Sequence, residues 1–168
     1  MKTLVVLCGV PGSGKTTWAH EQSRAKVISR DEIRFKIIKN DEEYFSHEKE
    51  VFKEFIRQIK EALYSNDPDY DHVIADATHL NYNSRAKLLN HVFGTLFIDE
   101  NDLRGYPIHF IYFDTPIEVC LKRNNNRTGR ERVPEDVIIN MYENFTKPPL
   151  ETIIVKNVRS EYIWEKST

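Results

Sequence analysis

Gly9-Val10-Pro11-Gly12-Ser13-Gly14-Lys15-Thr16 matches the pattern G-x-x-x-x-G-K-[ST] at every fixed position. Glycine makes up about 7% of an average protein, so chance alone produces this pattern in roughly one chain in a hundred of this length. The flanks lower those odds. Thr3-Leu4-Val5-Val6-Leu7-Cys8 is an apolar, β-branched run that reads as a buried parallel strand. Thr17-Trp18-Ala19-His20-Glu21-Gln22 reads as a helix. The glycines therefore fall on a strand-to-helix turn, where backbone N–H groups converge on an anion and a helix N-terminus adds partial positive charge. Gly9, Pro11, Gly12, Ser13, Gly14, Lys15, Thr16 and Thr17 are the expected phosphate-binding residues. Lys15 reaches the β- and γ-phosphates of a nucleotide, and the Thr16 hydroxyl ligates Mg²⁺.

The rest of the chain alternates strand and helix signals. Strands are expected at Ala25–Ser29, His72–Asp76, Ile108–Phe113, Thr152–Val155 and Tyr162–Trp164. Ser29-Arg30-Asp31-Glu32 opens a helix with a capping Ser or Asp. Val51, Phe55, Ile59 and Leu63 recur every fourth residue and predict a helix over 46–63. Another spans Tyr82–Val92, with Arg85 and Lys87 outward and Ala86, Leu89 and Val92 toward a core. Thr115 is expected to cap a helix with Pro116 in its first turn, and a last helix runs from Val133 to about Phe145. This order implies an α/β fold, a three-layer sandwich around a mostly parallel sheet, with residues 1–168 as a single domain. Right-handed crossovers put the glycine loop and Asp76 at one carboxyl edge of that sheet.

Composition narrows the setting. A net charge of −2 gives no global attraction to nucleic acid, so any such contact has to come from a local patch. The two cysteines, Cys8 and Cys120, form no metal-binding spacing and read as reduced thiols of a cytoplasmic protein. No apolar run is long enough to span a bilayer, and the first strand begins where a signal peptide would lie.

Three further groups bear on chemistry. Asp76 ends an apolar strand, as the acidic residue that acts on Mg²⁺ beside such a loop does; the plain alternative is a strand-end Asp capping Ala77–Asn81. Asp31 and Arg34, three apart, share a helix face, where Asp31 can accept a hydroxyl proton and Arg34 can hold an anionic part of the same acceptor. Their plain alternative is a capping Asp beside a solvated Arg. Lys122, Arg123, Arg127, Arg130 and Arg132 stand against a single Glu131 in a glycine-containing stretch between two helices. That suits a helical lid over about 122–133 whose arginines close on phosphates, with the choice among Arg127, Arg130 and Arg132 open; the plain alternative is a solvated charge run. His79 reads as a loop histidine with ordinary hydrogen bonds.

Taken together, Gly9–Ala19, then Ser-Arg-Asp-Glu-Ile-Arg, then Asp-Ala-Thr-His-Leu-Asn, then Lys-Arg-Asn-x-x-Arg with Val-Pro following, resemble the 5′-kinase domain of phage-type polynucleotide kinases. That domain belongs to a wider group of small P-loop kinases including zeta-toxin-like, seryl-tRNA and adenylylsulfate kinases. The resemblance covers about residues 2–145. It implies that Asp31 is general base toward a polynucleotide 5′-hydroxyl, that Arg34 holds the acceptor's 3′-phosphate, and that Arg127 contacts donor phosphates with Arg123 beside it. The implied catalytic set is Lys15, Asp31, Arg34 and Arg127, with ATP as donor, Thr16 and Asp76 at Mg²⁺, and a nucleic-acid end as acceptor. The lid is longer than the family's around Thr128–Arg132, and no D-x-D-x-T phosphatase motif follows. Other hydroxyl acceptors (a nucleoside, a sugar or a charged tRNA) form the second reading, and a nucleotide-dependent binding module the third.

Overall fold

The computed structural model describes residues 1–95, 98–149 and 153–155. Five strands form one sheet: β1 (Thr3–Cys8), β2 (Ala25–Ser29), β3 (His72–Asp76), β4 (Ile108–Phe113) and β5 (Ile153–Val155). Their order across the sheet is β2-β3-β1-β4-β5, and every pairing is parallel. The helices are α1 (Lys15–His20), α2 (Arg30–Ile37), α3 (Glu48–Tyr64), α4 (Tyr82–Phe93), α5 (Ile117–Asn125) and α6 (Glu135–Glu143), with a 3₁₀ turn at Gly129–Glu131. The expected strand at Tyr162–Trp164 lies outside the described residues.

Alternation along β1 builds the layers. Leu4, Val6 and Cys8 face one side and pack with Val51, Phe55, Ile59 and Leu63 of α3 and Leu88, Leu89 and Val92 of α4. Val5 and Leu7 face the other side and pack with Ile74, Ile111, Phe113, Trp18 and Ala19. A smaller cluster of Val10, Cys120, Val133 and Ile138 seats α5 and α6 beside the glycine loop. The sheet is thus covered on both faces, as the alternating order predicts. Both cysteines are free and buried. Among the described residues no helix is long and apolar enough to cross a membrane.

Two expectations change. Arg85 does not point outward with Lys87: it is fully buried, and Ala86 is only partly so. Its guanidinium donates to both Glu100 carboxylate oxygens, at 2.7 and 3.0 Å, and to the His79 and Thr146 carbonyls. A buried cation persists where such partners surround it. Thr115 does not cap α5. Its hydroxyl donates to the Ser13 carbonyl at 2.9 Å, tying β4's exit to the glycine loop, and Pro116 takes the N-cap position.

Candidate active site

The glycine loop is shaped by backbone rather than by side chains. Gly12 has φ +82°, and a Cβ there would lie 2.5 Å from the Cys120 carbonyl oxygen. Gly14, at φ 99°, is the N-cap of α1, a left-handed geometry glycine adopts without penalty. The loop then enters α1, whose first N–H groups have no partner within the helix. The Lys15 ammonium donates to the Gly9 and Val10 carbonyls at 2.8 and 3.0 Å. Burial pushes its pKa down, and the charges of Asp76 and Asp31 oppose that.

Asp76, at the end of β3, is buried and accepts a hydrogen bond from the Thr16 hydroxyl at 2.7 Å. Burial raises its pKa against the pull of Lys15 and Thr16. Two oxygen donors side by side at the mouth of a phosphate loop fit Mg²⁺, which takes water and phosphate oxygens as its other ligands. The Ser13 hydroxyl is buried against Gly9, where an added Cβ would lie 2.6 Å from it, and has no hydrogen-bond partner among the described residues.

A cleft of about 560 Å³ opens from this loop. Pro11, Gly12, Gly14, Lys15, Thr16, Thr17 and Asp76 line its one end, and Asp31, Arg34, Phe35, Tyr44, Phe45 and Glu48 line the other. Gly9 and Ser13 of the loop do not line the cleft. Ser29 caps α2 through the Glu32 N–H, so the Asp31 side chain is released from capping and exposed to the cleft.

Arg34 is not a solvated surface arginine; it is 5% exposed. Its Nε and Nη2 donate to the two Glu48 oxygens at 2.8 and 3.1 Å. Its Nη1 donates to Asp31 Oδ1 and to the Tyr44 hydroxyl, the latter at 2.7 Å. Tyr44 in turn donates to Asp31 Oδ1. Arg30 adds a bond to Glu48 at 3.0 Å. These arginines hold the Glu48 carboxyl below its usual range despite partial burial. Tyr44 and Glu48 have no local sequence signal. Tyr44 sits after an acidic run, and Glu48 looks like any first-turn acid of an amphipathic helix; only the packing of α2 on α3 reveals them.

The arginines between α5 and α6 separate. Arg127 lines the cleft. Arg123 lies outside its wall and donates to the Gly12 carbonyl at 3.1 Å, bracing the loop from behind. Arg130 donates to the Ile38 carbonyl at 3.2 Å and stacks over the Phe35 ring at 5.1 Å. Arg132 donates to Asn125. The base of this segment is fastened by buried Asn124, whose amide donates to the Val133 carbonyl and accepts from its N–H at 2.7 and 2.9 Å.

His79 is buried, with φ 46°. It hydrogen-bonds the Leu7 carbonyl through Nδ1 and stacks on Phe55. Burial drives its pKa down to about 4.

This sheet order and loop are those of a P-loop protein, and comparison with known proteins agrees. The family described as AAA domain (AAA_33) matches residues 4–148, and the chain belongs to it. The L-seryl-tRNA(Sec) kinase of Methanococcus maripaludis is 34% identical over 152 residues, covering 86% of this chain and 53% of that protein. The chain thus spans about half the length of that relative. Among solved structures, Kti12 of Chaetomium thermophilum in complex with ADP-AlF3 superposes with TM-score 0.59 at 15% identity, over 90% of this chain and 88% of that one. A chain of the Pnkp1/Rnl/Hen1 RNA repair complex superposes with TM-score 0.56 at 24% identity, over 93% of this chain and 50% of that one. At these identities the structural matches carry the fold.

Proposed function

We propose that this chain is an ATP-dependent kinase that transfers the γ-phosphate to the 5′-hydroxyl of a DNA or RNA end. One observation carries the reading. A phosphate loop with Lys15 and the Thr16–Asp76 pair shares a single cleft with an exposed carboxylate, Asp31, that is held by Arg34 and Tyr44. Phosphoryl transfer needs a cradle, positive charge and a group that takes the hydroxyl proton, and little else from the protein.

In this scheme the loop amides and Lys15 hold the β- and γ-phosphates. Thr16 and Asp76 would hold Mg²⁺, which when bound neutralises charge across those phosphates. Asp31 accepts the acceptor's hydroxyl proton as its oxygen bonds to the γ-phosphorus, and ADP leaves. Arg127, on the segment over 122–133 read as a lid, stabilises charge on the transferring group. Arg34 has five N–H groups and spends four on Glu48, Asp31 and Tyr44. It therefore offers an acceptor phosphate one hydrogen bond rather than a parallel pair.

The second reading is a hydroxyl carried on a charged tRNA, favoured by the seryl-tRNA kinase relative. It uses the same base and cradle. Labelled ATP offered to 5′-hydroxyl oligonucleotides, seryl-tRNA, nucleosides, sugars and no acceptor separates these readings. Label is expected on the 5′ end of the oligonucleotides, lost in EDTA and in Lys15→Ala. Transfer to seryl-tRNA alone replaces the first reading with the second, and release of phosphate with no acceptor labelled argues against both.

A further inference from the structure

We propose that Tyr44 is the positioning residue for the Asp31 carboxylate; the proposal rests on the reading of Asp31 as the base. The Asp31 side chain is 57% exposed, and it projects from the first turn of α2. An exposed aspartate with no fixed partners samples several rotamers, and only one presents an oxygen to a bound hydroxyl. Here Oδ1 accepts from both the Tyr44 hydroxyl and Arg34 Nη1. Oδ2 accepts no hydrogen bond among the described residues. One oxygen is thereby fixed and the other left to take the proton.

Tyr44 is itself held on three sides. Its ring meets Phe35 edge-on at 6.0 Å and Phe45 at 4.6 Å. The Arg34 guanidinium lies over it at 4.3 Å. Its hydroxyl also accepts from Arg34 at 2.7 Å, so its own proton is directed to Asp31. Burial and the Asp31 charge push the phenol above its usual range, which keeps it a donor at every working pH. The step assigned to Asp31 balances: the acceptor O–H proton passes to Oδ2, the acceptor oxygen bonds phosphorus, and the bond from phosphorus to the bridging oxygen breaks with its electron pair on ADP.

The charged and titratable groups facing Asp31 are Arg34 on its own helix, Tyr44 in the connection to α3, Glu48 on α3 acting through Arg34, and Lys15 and Asp76 from the loop side. All but Tyr44 persist in Tyr44→Phe, so that variant isolates one donor. Single-turnover rates with a 5′-hydroxyl oligonucleotide are expected to fall about tenfold, a size ordinary for one positioning hydrogen bond. The KM values for ATP and acceptor should stay within about twofold. On an Asp31→Asn background, Tyr44→Phe should have no further effect.

An unchanged rate in Tyr44→Phe overturns the proposal. So does a further tenfold fall on the Asp31→Asn background, which would place the role of Tyr44 elsewhere. If Asp31→Asn transfers phosphate at the wild-type rate, the base reading and this proposal fall while the kinase reading stands. Absence of transfer by the wild type to any hydroxyl removes all three. Thermal melting of Tyr44→Phe within a few degrees of wild type excludes unfolding as the cause of a loss.

Discussion

His79 illustrates how a residue with no assigned chemistry still governs behaviour. In the folded chain it is neutral down to about pH 4, and its ordinary value is 6.5. Between those values the unfolded chain binds a proton that the folded chain refuses, so stability rises with pH across the window and is lost as pH falls from 6.5 toward 4. Acidification from pH 7 to 5 should remove about 2 kcal/mol through this one group. Denaturant midpoints of wild type and His79→Asn at the two pH values check this. Asn tolerates the left-handed backbone at φ 46° and does not titrate there. The wild type should lose more stability than the variant; equal losses would place the acid sensitivity in other groups. The sequence reading of His79 as hydrogen-bonded was sound, but its depth of burial depends on Phe55 and Leu7, far away in the chain.

The segment between α5 and α6 was readable as a charged, glycine-containing insertion, yet its arginines look alike in sequence. Their partners distinguish them. Arg130 grips α2 through Ile38 and Phe35, Arg123 props Gly12, and only Arg127 is both on this segment and in the cleft wall. Arg127→Ala should therefore lower turnover by on the order of 10³, the low end for arginines stabilising phosphoryl transfer. Arg132→Ala, whose partner is the exposed Asn125, should stay within about threefold. Steady-state rates at saturating ATP test both, and the reversed order would move the phosphate contact to Arg132. The helical faces show the same division. Period 3.6 identified Val51, Phe55, Ile59 and Leu63 as core, and all four are buried. The same reasoning placed Arg85 outward, because periodicity carries no information on whether a Glu100 waits across the interface.

The architecture as a whole was largely written in the alternation of apolar runs with amphipathic ones. Strand boundaries at Thr3–Cys8, Ala25–Ser29, His72–Asp76 and Ile108–Phe113 coincide with expectation, most plainly for central β1, a buried and nearly continuous apolar run cut by turns. The loop end of the cleft was the easier one to read, since the glycine loop is one contiguous stretch to which β3 adds Asp76. The opposite end of the cleft was only partly legible. Asp31 and Arg34 sit on one helix, but Tyr44 and Glu48 join them through α2–α3 packing.

The position of β1 in the middle of the sheet has a consequence for assembly. Thr3 pairs opposite His72, and Leu4 opposite Ile108, so this strand waits for two distant stretches before both of its edges are covered. Loop-closure entropy has to be met before those pairings reward the chain, which slows folding relative to a helical bundle. A chain stopped at residue 105 would present Leu4–Cys8 with one flank bare, an apolar edge that templates association with other copies. Light scattering on such a fragment should show aggregation at micromolar concentration, while the full chain stays dispersed. A dispersed, cooperatively melting fragment would mean that β4 is dispensable. The strand that presents the phosphate loop thus has both of its partners later in the chain, at His72–Asp76 and Ile108–Phe113.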